Sequence, residues 1–211
     1  MGHAILLGDS IFDNGAYVGA GEPDVVRQLQ AELPRDWQAT LLAVDGSMIR
    51  GVRAQAARLP LDATHLVLSV GGNDALGHAR LLDAAARSMA EALSTLARAA
   101  DEFERDYRAM LDELLTRRLP TAVCTVYNPR FPDAQVQKLA VTALCVFNDA
   151  ITRAAFSRGL PLIDLRLVCD DERDYANPIE PSARGGRKIA RAITTLLARH
   201  DFTSAHTQVF I

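Results

Sequence analysis

Cysteine is scarce in this chain and carries no pattern. Cys124, Cys145 and Cys169 form no C-x-x-C pair, and an odd, widely spaced set excludes a disulfide framework or a zinc site. They read as small buried hydrophobes in a reducing compartment. Basic clusters are missing too. The formal net charge is −3 and the arginines are scattered along helix faces, so neither nucleic acid nor an anionic membrane surface is an expected partner. No apolar run reads as long enough to span a bilayer. The first strand starts almost at Met1, leaving no room for a signal peptide, and a cytoplasmic location is expected. No G-x-G-x-x-G or G-x-x-x-x-G-K-[ST] opens a helix, so a nucleotide-binding module fits poorly. His, Cys and carboxylates do not cluster, and no metal or cofactor is expected.

What is present is an alternation of strands and helices. A chain of 211 residues, 49% hydrophobic and 23% charged, favours one domain with a substantial core. Apolar strand-like runs occur at Ala4–Leu7, Ala39–Val44, His65–Val70, Thr121–Val126 and Leu162–Leu165. Between them lie helical patterns. One runs from Asp24 to Pro34. A second is capped by Ser47 and ends before Pro60. A third covers 81–119 in two pieces, with an acidic junction at Asp101-Glu102. Further helices cover 134–157 and 183–198. Continuously apolar strands separated by helices imply a parallel sheet covered on both faces. The expected fold is α/β, a three-layer α/β/α sandwich on a five-stranded, flavodoxin-like sheet, spanning 1–211 as one domain. The short apolar end Val209-Phe210-Ile211 has no role in this scheme.

In such a sheet, chemistry gathers at the carboxyl ends of the strands. Ser10 follows the first strand, Gly46 the second, Asn73 the third, and the loop Asn177–Glu180 the fifth. Any one of these turns alone reads equally well as loop punctuation, but four converge on one edge. Ser10 can attack a carbonyl carbon. The Ser10 and Gly46 backbone N–H groups and the Asn73 amide can hold the resulting oxyanion. The nucleophile-elbow signature Gly-x-Ser-x-Gly is absent.

Gly8-Asp9-Ser10, Gly46, Gly71-Gly72-Asn73-Asp74 and the closing Pro181-Ser182 with Gly186 resemble, over essentially the whole chain, the blocks of the SGNH (GDSL) hydrolases. Tyr127-Asn128-Pro129 is similar to a loop of many members. The resemblance implies an esterase, lipase, thioesterase or carbohydrate acetylesterase. It further implies a Ser nucleophile, a three-donor oxyanion hole, no metal and a small-molecule ester substrate.

One block departs from the pattern. Where the family has Asp-x-x-His-Pro, this chain reads Asn177-Pro178-Ile179-Glu180-Pro181. The base position is Glu180 and the orienting position is Asn177. Three readings stand open. Glu180 is the base, its carboxyl raised from an ordinary pKa near about 4.3 by burial and its orientation set by the Asn177 amide. Alternatively His78, in the loop after Asn73, substitutes as base. Or the site is catalytically weak or inactive and the scaffold binds an acyl or glycosyl ligand. Asn128 and Arg184 are candidate substrate-binding residues. Pairing of Arg184 with Glu180 would lower that carboxyl's pKa and argue against the base role.

Overall fold

The computed structural model describes residues 1–211. Its main sheet is parallel and six-stranded, in the order β2-β1-β3-β4-β5-β8. The strands are β1 (Gly2–Gly8), β2 (Trp37–Leu41), β3 (His65–Ser69), β4 (Thr121–Cys124), β5 (Leu162–Ile163) and β8 (Val209–Phe210). A two-stranded antiparallel ribbon, β6 (Tyr175–Asn177) with β7 (Glu180–Pro181), stands apart. The helices are α1 (Val25–Glu32), α2 (Val52–Ala56), α3 (Gly72–Gly77), α4 (Met89–Leu115), α5 (Ala134–Phe156), α6 (Leu165–Val168) and α7 (Ala183–Arg199).

Side chains alternate across a strand, so each central strand feeds two cores. Ile5 and Leu7 of β1 enter one with α2, α4 and α5. Leu6 enters the other, with α1, α6 and α7. That two-sided burial is why these strands read as unbroken apolar runs.

Several expectations need correcting. The sheet has six strands because the short apolar end pairs with β5: Leu162 N–H donates to Gln208 O and Asp164 N–H to Phe210 O, both at 2.9 Å. The helix expected to break at Asp101-Glu102 is continuous through it, since both residues lie on the side away from the Phe103, Tyr107 and Leu111 stripe. Its break falls earlier, between a 3₁₀ turn at Ala79–Asp83 and the Ser88 N-cap. Ser47 caps no helix; its hydroxyl accepts from Gln55 Nε2 at 3.1 Å. Cys145 is exposed, whereas Cys124 and Cys169 are buried. By length and composition α5 is apolar enough to cross a membrane, with mean hydropathy 1.4 in its best window. In this fold its C-terminal half packs into the core with α4.

Candidate active site

The site begins at the end of β1. Gly8 has φ +127° and no space for a Cβ, because the carbonyl of Ser69 on β3 occupies it. Only glycine lets the chain turn there without colliding with its neighbour strand. Gln55 clamps the same peptide: Gly8 N–H donates to Oε1 and Nε2 donates to Gly8 O, both at 2.8 Å. Asp9 N–H then continues the pairing onto Ser69 O at 3.1 Å. Ser10 comes next, buried in the turn, and its backbone N–H donates to no protein acceptor.

Ser10, Asn73 and Glu180 share the wall of one cavity of about 290 Å³ with Asp9 and His78. Asn73 reaches it from the first turn of α3 and donates one amide hydrogen to Ser47 O at 3.0 Å. That bond ties Asn73 to the turn carrying Gly46 and leaves its second amide hydrogen uncommitted. Asp74 reinforces the tie by accepting from Ile49 N–H at 3.0 Å. Gly46 sits at φ +72° on an exposed turn, outside the cavity wall, with its N–H unpaired inside the protein.

Glu180 is buried at the start of β7 and held by its neighbours' carbonyls. Tyr127 Oη donates to Ile179 O at 2.6 Å, and Asn14 Nδ2 donates to Pro181 O at 3.2 Å. Its carboxyl is pushed up to about 7 by burial, against a smaller lowering by the Ser10 side chain beside it. The Ser10 contact is loose, and Glu180 Oε2 is buried without a hydrogen-bond partner. Such geometry is common in unliganded sites and tightens when substrate arrives.

Asp9 is the second perturbed carboxyl. Burial raises it to about 8, with the charges of Glu180 and Asp74 adding to the effect, although Ile11 N–H donates to Oδ1. In the folded chain it therefore keeps its proton well above the pH at which the unfolded chain releases it. Native protein binds more protons than unfolded protein between about pH 4 and 8, so stability falls as pH rises through that window. Asp9→Asn keeps the acceptor for Ile11 and removes the titration. The variant is expected to gain on wild type by a few kcal/mol, on the order of what such a shift implies, as pH rises from 5.5 to 8.5. Urea midpoints at the two pH values measure it; a pH-independent difference contradicts it.

Other candidates fall elsewhere. The Asn177 amide oxygen accepts from Ile179 N–H at 3.0 Å within its own turn and does not orient Glu180. Arg184 turns away to Asp174 (3.2 Å) and Asp171 (3.6 Å), so it neither lines the cavity nor lowers the Glu180 carboxyl. Asn128 is also off the cavity wall; its carbonyl accepts from Tyr175 Oη at 2.8 Å. His78 lines the cavity, but its ring stacks on Phe147 at 5.9 Å between centroids and makes no hydrogen bond through its side chain. No group of His, Cys, Asp and Glu side chains is arranged to hold a metal ion.

The family model described as GDSL-like Lipase/Acylhydrolase matches residues 6–188, from β1 through the first turns of α7. The chain belongs to this GDSL family. Solved structures agree in fold. The extracellular lipase of Streptomyces rimosus superposes with a TM-score of 0.66 at 16% identity, covering 94% of this chain and 99% of the lipase. A lipolytic G-D-S-L family member from Veillonella parvula gives 0.64 at 20% identity, over 95% and 100% of the two chains. An acetyl xylan esterase gives 0.62 at 18% identity, over 94% and 100%. No protein of curated function matches the sequence at a significant level.

Against that GDSL frame, sequence reasoning missed the supports. Gln55, Asn14 and Asp174 are buried polar residues that clamp the Ser10 turn, the Glu180 strand and the start of α7. Asn14 also accepts from Val25 N–H at 2.9 Å, joining α1 to the same knot. An amide embedded in the apolar run of α2 was the only signal that Gln55 offered.

Proposed function

We propose that this GDSL hydrolase cleaves carboxylic esters through Ser10, with Glu180 as the general base. The observation that carries the reading is the Glu180 carboxyl: buried, facing Ser10, with a free oxygen and a pKa of about 7. A base is most effective when its pKa lies near the working pH, and this one does. Ser10 Oγ gives its proton to Glu180 as it attacks the carbonyl carbon. The carbonyl oxygen becomes an oxyanion, for which the Ser10 N–H and the free Asn73 amide hydrogen, both on the cavity wall, are the donors. Collapse expels the alcohol, which takes the proton back from Glu180. Water, deprotonated by Glu180, then attacks the acyl-Ser10 ester; the acyl C–Oγ bond breaks, the carboxylic acid leaves, and Ser10 Oγ takes the proton from Glu180. Asp9, raised to about 8 and so mostly protonated at pH 7, adds little second negative charge beside the oxyanion there.

Because the base must be ionised, the rate on p-nitrophenyl acetate and butyrate is expected to rise with pH and level off above about pH 7. His78→Ala is expected to keep both the rate and the limb. Loss of the limb in His78→Ala would assign the base to the imidazole and end the carboxylate reading.

A further inference from the structure

The cavity that holds Ser10 extends well beyond it, and its far part has a composition of its own. Asn148 fixes the level of α5 relative to the sheet, since its amide bonds both backbone groups of Val126, just past the end of β4. The residues of α5 before Leu144 have no strand to cover, and none of them is buried. The same holds for α4 before Ala99. Two long helices thus project past the carboxyl edge of the sheet, with the 3₁₀ turn Ala79–Asp83 between them. Along α5, Val136, Leu139, Ala140, Ala143, Leu144 and Phe147 line the cavity. Their spacing is one helical face, and at 1.5 Å per residue it runs about 16 Å. Leu81 and Leu82 of the 3₁₀ turn and Leu96 of α4 line it as well.

We infer that this trough is the acyl subsite of the reaction proposed above and takes an unbranched, uncharged, medium-length hydrocarbon chain. Three features select that occupant. The wall is apolar along the α5 stripe, and the small side chains of Ala140 and Ala143 leave width in its middle. Neither Lys nor Arg lines the cavity, so a carboxylated or phosphorylated acyl group finds no counter-charge. The α5 stripe of about 16 Å is long enough for an extended chain of several carbons beyond the carbonyl. An acetyl group would leave most of the trough empty. The partly exposed Leu76, Val136 and Leu139 carry the apolar surface outward from the trough.

The inference rests on the esterase reading, and the experiment separates the two. kcat/KM is measured on p-nitrophenyl acetate, butyrate, hexanoate, octanoate, decanoate and dodecanoate, for wild type and for Ala143→Phe. Each methylene buried is worth about a fourfold gain, so wild type is expected to climb from acetate to octanoate or decanoate and then fall. Ala143→Phe is expected to lower the decanoate-to-acetate ratio at least tenfold. In parallel, Nile red bound to the Ser10→Ala protein is displaced by decanol; Ala143→Phe added to that protein weakens the displacement. A profile that peaks at acetate, or one that Ala143→Phe leaves unchanged, overturns the acyl subsite while leaving the esterase standing. No hydrolysis at any chain length, with decanol still displacing Nile red in an Ala143-dependent way, overturns the esterase reading and keeps the hydrocarbon site.

Discussion

Ser10→Ala is expected to lower ester turnover by about 10⁴ to 10⁶, the range set by loss of a seryl nucleophile whose partner groups remain. The fold has little reason to respond. The turn is held by Gly8, Gln55 and the Asp9 bond to Ser69, not by the Ser10 hydroxyl, which caps nothing. The variant's thermal transition should therefore stay close to that of wild type. The donors proposed for the oxyanion also survive, because one is the backbone N–H of residue 10 and Asn73 is tied separately to Ser47. Residual activity well above background would reflect those donors acting on a water molecule. Unchanged turnover would show that the acyl group never passes through Ser10.

Glu180→Gln is expected to cost about 10² to 10⁴ in kcat/KM, the usual worth of a general base. The rising limb near pH 7 should vanish with it, since Gln does not titrate. Sterically the change is mild, and the strand is still held through Ile179 O and Pro181 O. Removing the carboxyl also removes one of the charges that raise Asp9, so Asp9 should ionise at lower pH in the variant. Glu180→His is the informative companion, because an imidazole with an ordinary pKa of about 6.5 needs no burial to be neutral at pH 7. Turnover in both wild type and Glu180→His, absent from Glu180→Gln, is the expected pattern. Turnover that appears only in Glu180→His would identify a hydrolase scaffold without a working base.

The parallel sheet and its edge were legible because their signals are local. An apolar run ending at Gly8 or Gly71 marks a strand and its turn without reference to the rest of the chain. Ser10, Asn73 and Glu180 could then be brought together by topology alone, and the cavity wall contains all three. What failed depended on partners. Arg184 lies four residues after Glu180, yet it starts a helix whose first turn faces the acidic loop, and the buried carboxylate of Asp174 draws it away. Asp174 closes the charged run 170–174, and its burial depends on Arg184 and Lys188 of α7, partners that local sequence does not reveal. The sequence marks a helix over 134–157 without showing which stretch covers the sheet; only the height of α5 above the sheet shows that half of it lines a cavity. The two residues of β8 were invisible for the same reason: a strand that short exists only against an edge already built.

That last strand has a consequence for how the molecule is made. β5 is flanked by β4 on one side, which is translated before it, and by Val209-Phe210 on the other, which follow some forty-five residues later than Ile163. Until those residues emerge, one side of β5 presents free N–H and C=O groups to whatever is nearby. An unfinished sheet edge of that kind invites pairing with another chain. Val209-Phe210 thus act as a seal fitted after the strand they cover. A nascent or frayed copy lacking it is the species from which association between molecules would start, while Ser10, near the other end of the strand order, and Glu180, on the separate β6–β7 ribbon, would already be in place.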